Sequence, residues 1–179
     1  MVKVGHIYLV GFMGTGKSVV GRALAAKLSR NFVDLDSLIE EREGARIKDI
    51  FSDKGEDYFR ELERRFLQEV SWGWQRGRLV VSCGGGVVLN EENISLMKSA
   101  GLLVCLWARP QVILDRISGC PRRPLLPRRD ARKKIEELLH KRTRFYSRAD
   151  YTIDTSDKTI EEVVERIICY LPTRSPGWS

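Results

Sequence analysis

Several groups of residues in this chain have the types and spacing that chemistry on phosphates demands. The first is Gly11-Phe12-Met13-Gly14-Thr15-Gly16-Lys17-Ser18, which fits the phosphate-loop pattern G-x-x-x-x-G-K-[ST]. Its glycines let backbone N–H groups turn inward around an anion, where side chains would stand in the way. A helix beginning near Gly16 adds unpaired N–H groups and the positive end of its dipole. Lys17 can then reach the outer phosphates, and Ser18 can hold a magnesium ion. The nucleotide-binding set read here is Gly14, Thr15, Gly16, Lys17, Ser18 and Val19. It predicts a chain that binds a nucleoside triphosphate together with Mg2+.

A second group is Asp34 and Asp36, in Val33-Asp34-Leu35-Asp36 at the end of a strand-like run. Carboxylates at i and i+2 of a strand point to one side, a costly arrangement unless a cation or donor lies between them. Asp34 then joins Ser18 at the magnesium ion, and Asp36 faces an acceptor hydroxyl. The competing reading is an ordinary acidic loop in which Asp36 caps the next helix. Next comes Arg60, near the start of a helix in Phe59-Arg60-Glu61-Leu62-Glu63, where a surface arginine is the usual explanation. Gly84-Gly85-Gly86 closes another apolar run. Three consecutive glycines end a strand where backbone must be approached closely or bent sharply. Last is the basic cluster Arg122-Arg123-Pro124-Leu125-Leu126-Pro127-Arg128-Arg129.

These groups need a scaffold, and the pattern of the chain supplies one. Five strand-like apolar runs lie at 6–10, 31–34, 79–83, 102–107 and 151–154. Helical periodicity falls between and after them, at 19–28, 37–43, 47–52, 57–70, 92–99, 111–117 and 159–171. Strands alternating with helices imply a parallel sheet covered on both faces. The strand ends near Asp34, Cys83 and Trp107 then open on the same edge as the phosphate loop, where open α/β sheets hold ligands. The helix at 57–70 carries Phe59, Leu62, Phe66 and Val70 on one face, and Asp53 with Glu56 resembles its capping box.

With 179 residues and 42% hydrophobic content, the chain fits a single domain, 1–179, with a sizeable core. No apolar run is long enough to span a membrane, and the first strand follows the N-terminus too closely for a signal peptide. Both point to the cytoplasm. The four cysteines are scattered, with no C-x-x-C pair and only two histidines, so neither zinc nor a disulfide framework is indicated. Cys83 and Cys105 read as small core residues. A net charge of +7 could suit nucleic acid, but zinc fingers, RNP aromatics and a long basic stripe are all missing. That charge equally suits an enzyme that handles triphosphates and an anionic substrate.

Taken in order, the phosphate loop, Asp-x-Asp, Phe-Arg-x-x-Glu, Gly-Gly-Gly and Arg123-Pro124-Leu125-Leu126 resemble the shikimate kinase family, as do Lys141-Arg142 ahead of Phe145-Tyr146. The match runs from about residue 6 to about 155. It implies a three-layer α/β/α fold with a five-stranded parallel sheet, a P-loop kinase like the nucleoside monophosphate kinases. It also implies a substrate segment at about 35–64, a mobile lid at about 119–130 and a frayed tail at 172–179. The implied reaction moves the γ-phosphate of ATP to the 3-hydroxyl of shikimate, with Mg2+, in a monomer whose partners are these two substrates. The implied catalytic set is Lys17, Asp36 and Arg123. By the same resemblance Arg60 and Arg142 grip the shikimate carboxylate, and Asp36 and the Gly84, Gly85 and Gly86 backbone meet its hydroxyls. Guanidinium forks suit a carboxylate, and glycine amides donate without bulk.

Arg123 is then the lid residue that closes onto the triphosphate and excludes water. Some family members contact adenine through an arginine after the last strand. Here that stretch reads Thr155-Ser156-Asp157-Lys158, which leaves Arg116, ahead of the lid, to stack on the base. Gluconate kinases share the loop and lid without needing the other motifs. A nucleotide-dependent switch or nucleic-acid ATPase needs a strand ending in Asp or Asp-Glu, whereas the third strand here ends Ser82-Cys83-Gly84.

Overall fold

A computed structural model of the chain describes residues 5–73, 77–118 and 131–171. Arg123, the expected lid and the expected tail lie outside the described residues. The strands are β1 (His6–Val10), β2 (Asn31–Asp34), β3 (Leu79–Ser82), β4 (Gly101–Trp107) and β5 (Tyr151–Asp154). The helices are α1 (Lys17–Lys27), α2 (Leu35–Glu43), α3 (Ile47–Trp72), α4 (Glu91–Ala100), α5 (Pro110–Ser118), α6 (Ala131–Tyr146) and α7 (Ile160–Tyr170). All strands are parallel, in the order β2-β3-β1-β4-β5.

Every residue of β1 is buried, because helices cover both faces of a parallel sheet and its central strand reads as one apolar run. Alternate side chains go to opposite faces. Ile7 and Leu9 pack with Val20 and Leu24 of α1 and with Val163, Val164 and Ile167 of α7. Tyr8 and Val10 pack with Phe59, Leu62 and Phe66 of α3 and with Ile94 and Met97 of α4. Cys83 and Cys105 are buried in this second cluster. A third, smaller cluster joins Phe12 of the phosphate loop to Ile113 of α5 and to Ile135 and Leu139 of α6.

Three local expectations change. The two helical patterns at 47–52 and 57–70 form one element, α3, broken at Gly55, whose φ of 85° and ψ of 173° no helix contains. The capping box at Asp53 does not form: Asp53 lies within the first half of α3, and Glu56 pairs with Arg60. Finally, α6 lies in a stretch where no helix was expected, and it brings a functional residue with it.

Candidate active site

After β1 the chain turns through Gly11, Gly14 and Gly16, with φ of 138°, 78° and 95°. Gly16 leads directly into α1, where no side chain caps the helix. The first-turn N–H groups are thus left for an anion, and the helix dipole favours one. The Lys17 ammonium donates to Gly11 O and to Phe12 O, each at 2.9 Å, holding the loop closed around its own carbonyls. Thr15 Oγ1 donates to Phe12 O at 2.8 Å. Val19 sits in the first turn of α1 with 51% of its surface exposed.

Ser18 Oγ donates to Asp34 Oδ2 at 2.6 Å and lies 3.4 Å from Ser82 Oγ. Asp34 ends β2, in register with Ser82 of β3. Its other oxygen, Oδ1, accepts from Ser37 N at 3.3 Å and so caps α2. Hydroxyl and carboxylate oxygens suit a hard cation such as magnesium, which usually takes one or two protein ligands plus phosphates and water. No group of three or more His, Cys, Asp or Glu side chains is gathered to hold a metal among the described residues.

The strand-based reading of Asp34 and Asp36 fails in its geometry. β2 stops at Asp34, and Asp36 belongs to the first turn of α2. Nor does Asp36 cap that helix, because Asp34 does. Asp36 nevertheless points at the glycine triplet: a Cβ on Gly84 would lie 2.7 Å from Asp36 Oδ1 and 2.7 Å from Glu63 Oε1. A Cβ on Gly86 would overlap the Arg60 guanidinium. On Gly85 it would meet Gly11 O at 3.4 Å and Arg142 NH1 at 3.6 Å. The triplet therefore lies between the phosphate loop on one side and Asp36, Arg60 and Arg142 on the other. Side chains at Gly84 or Gly86 would displace Asp36, Glu63 or Arg60.

Arg60 NH1 donates to Glu63 Oε2 at 2.8 Å, while NH2 and Nε reach Glu56 Oε1 at 2.9 and 3.2 Å. Burial works against the Arg60 charge, but Glu63 and Glu56 outweigh it and raise the guanidinium pKa. Glu63 is 1% exposed, and its Oε1 has no hydrogen-bond partner among the described residues. Burial pushes its carboxyl up to about 6, Asp36 adds to the rise, and Arg60 and Arg142 offset part of it. Arg142 NH1 donates to Gly85 O at 3.3 Å, and its guanidinium lies over the Phe12 ring.

Sequence reasoning gave Glu63 no role. The available signal was a charge inside the apolar stripe of Phe59, Leu62 and Phe66, three residues from Arg60 and so on its side of the helix. Arg116, expected at the base, donates to Gly14 O at 3.3 Å, to Thr155 Oγ1 at 3.1 Å and to Thr155 O at 2.7 Å. It thus ties the phosphate loop to the segment after β5.

Comparison with known proteins settles the kinship. The family model "Shikimate kinase" matches residues 13–172. A shikimate kinase from Caldanaerobacter subterraneus subsp. tengcongensis is 48% identical over 91% of this chain and 94% of its own. One from Sulfurihydrogenibium sp. is 46% identical over 94% of this chain and 99% of its own. The chain belongs to the shikimate kinase family. It is an enzyme, a shikimate kinase that uses ATP as co-substrate and transfers phosphate to an alcohol group. A shikimate kinase from Acinetobacter baumannii, solved in complex with shikimate, superimposes with a TM-score of 0.85 at 36% identity, covering 93% of this chain and 92% of that one. A gluconokinase from Sinorhizobium meliloti reaches 0.59 at 19% identity over 92% of this chain and 90% of that one, a likeness of fold alone.

Proposed function

We propose that the chain transfers the γ-phosphate of ATP to the 3-hydroxyl of shikimate across the glycine triplet. The observation that carries this reading is the placement of Gly84–86. One side of the triplet meets the phosphate loop at Gly11, and the other meets Asp36, Arg60 and Arg142. Donor and acceptor can thus be held face to face over one short stretch of backbone.

In this reading the amides of residues 14–19 cradle the phosphates, and Lys17 exchanges its two loop carbonyls for phosphate oxygens. Magnesium, when bound by Ser18, Asp34 and the phosphates, neutralises charge on the β- and γ-oxygens. Arg60 and Arg142 take the shikimate carboxylate as a pair of forks. Asp36 accepts a hydrogen bond from the 3-hydroxyl and aims its oxygen at the γ-phosphorus. As the new O–P bond forms, the bond to the β–γ bridging oxygen breaks and ADP leaves. The hydroxyl proton passes to Asp36 late in that step, because the transition state is largely dissociative. Orientation is therefore the larger part of what Asp36 supplies. Arg116 flanks the adenine. The setting is the cytoplasm, and the partners are the two small substrates.

The test is Arg60→Lys, which keeps the charge and loses the fork. Shikimate affinity should fall by roughly 1–3 kcal/mol, with ATP affinity measured without shikimate unchanged. Collapse of ATP binding with shikimate binding intact would refute the assignment.

A further inference from the structure

We propose that Tyr146 is a positioning residue that holds the Gly85 peptide in place while Arg142 engages the substrate carboxylate. The inference rests on the reading above, in which Arg142 and the glycine triplet hold shikimate. Tyr146 is the last residue of α6 and is 5% exposed, packed in the core cluster that also holds Val87 and Val88. Its hydroxyl donates to Gly85 O at 2.7 Å. Arg142, one helical turn earlier on the same face, donates NH1 to the same oxygen at 3.3 Å. Two side chains of α6 therefore occupy the two lone pairs of one carbonyl.

On its other side Gly85 faces the phosphate loop. A Cβ there would meet Gly11 O at 3.4 Å and Met13 N at 3.7 Å, both in the phosphate loop. A peptide group is a rigid plane. Fixing the Gly85 carbonyl therefore fixes the direction of the Gly86 N–H in the same plane, next to the Arg60 guanidinium.

The two donors are not equivalent. Arg142 carries the charge that an arriving carboxylate needs, and its bond to Gly85 O is the longer one. Tyr146 is neutral, buried and closer. Burial pushes its hydroxyl up to about 12, with Arg142 beside it pulling the other way, so it keeps its proton and remains a donor throughout the working pH range. When the carboxylate draws Arg142 off the carbonyl, Tyr146 keeps the peptide in register.

The experiment is Tyr146→Phe, which removes one oxygen and keeps the ring. Steady-state kinetics with each substrate varied against the other are read below the thermal midpoints of the proteins, alongside Arg142→Lys and the double variant. Loss of one net hydrogen bond predicts a roughly three- to tenfold rise in shikimate KM, with ATP KM and kcat little changed. The double variant should lose less than the product of the single effects, because both side chains act on one carbonyl. A shikimate KM that stays put while the thermal midpoint falls would make Tyr146 a packing residue and overturn the inference. Equal rises in both KM values would mean general loosening and overturn it as well. If Arg142→Lys weakens shikimate and Tyr146→Phe does not, the inference alone falls. If Arg142→Lys leaves shikimate KM unmoved, the carboxylate assignment falls and the inference with it.

Discussion

Replacing Glu63 with Gln should stabilise the substrate-free protein at alkaline pH and weaken its hold on shikimate. Glu63 is 1% exposed, with one oxygen on Arg60 NH1 at 2.8 Å and the other without a hydrogen-bond partner among the described residues. Burial lifts its carboxyl from the ordinary 4.5 to about 6. The folded state therefore holds this proton more tightly than the unfolded chain does. Stability falls as pH rises through the window between those two values. By pH ~8 the ionised carboxylate costs about 2 kcal/mol relative to a freely solvated one. Gln avoids that cost, and its amide oxygen still accepts from Arg60. Arg60 is not stranded either, because Glu56 Oε1 keeps NH2 at 2.9 Å and Nε at 3.2 Å.

Urea unfolding at pH ~8 should then place the variant about 1–2 kcal/mol above the parent, since part of the gain is lost with the charge-assisted bond. At pH ~4.5 the gap should close, because Glu63 is protonated there in the parent. All other groups titrate in both proteins, so the difference isolates Glu63. Shikimate KM should rise roughly threefold or more, because an amide orients a guanidinium less firmly than a carboxylate does. A variant destabilised by the same margin at both pH values would refute the reasoning.

Lys17→Ala should cut kcat by on the order of a hundredfold or more with the fold retained, checked by single-turnover ADP release and circular dichroism. A variant with half the parental rate would remove Lys17 from the phosphate site. Asp36→Asn should lower kcat sharply with ATP binding intact, whereas Asp34→Asn should raise the magnesium needed for half-maximal rate. A magnesium titration at saturating shikimate separates them. Rescue of Asp36→Asn but not Asp34→Asn would mean the two carboxylates have exchanged roles.

The strands were legible because a parallel sheet buries both faces, and 6–10 or 102–107 therefore read as unbroken apolar runs. The phosphate loop was legible because its pattern is a backbone requirement written in glycine. By contrast, α6 carries its buried residues Ile135 and Leu139 among nine charged or histidine side chains in sixteen positions, and a proline-rich stretch precedes it. The apolar spacing of Ile135, Leu138 and Leu139 was the one cue available. Asp36 was placed on a strand because alternation continues through Leu35. In the structure the Asp34 side chain captures Ser37 N and turns the chain into α2. Tyr146 needed a tertiary contact to reveal it, since its partner Gly85 lies far along the chain, whereas the cue for Glu63 was a charge within an apolar helix stripe, three residues from Arg60.

The strand order also bears on how the chain comes off the ribosome. β1 is made first yet occupies the middle of the sheet, with β3 and β4 as its neighbours. Its backbone cannot pair until residues 79–82 and 101–107 have been made. Translation adds roughly 5–20 residues per second, so a strand destined to be buried throughout waits for seconds with both edges open. Non-local pairing of this kind is slow and exposes the nascent chain to aggregation. The early partners on hand are α1, α2 and α3, which can shield the faces of β1 but not its edges. Chaperone demand during synthesis should therefore peak before β3 emerges and fall once β4 has docked.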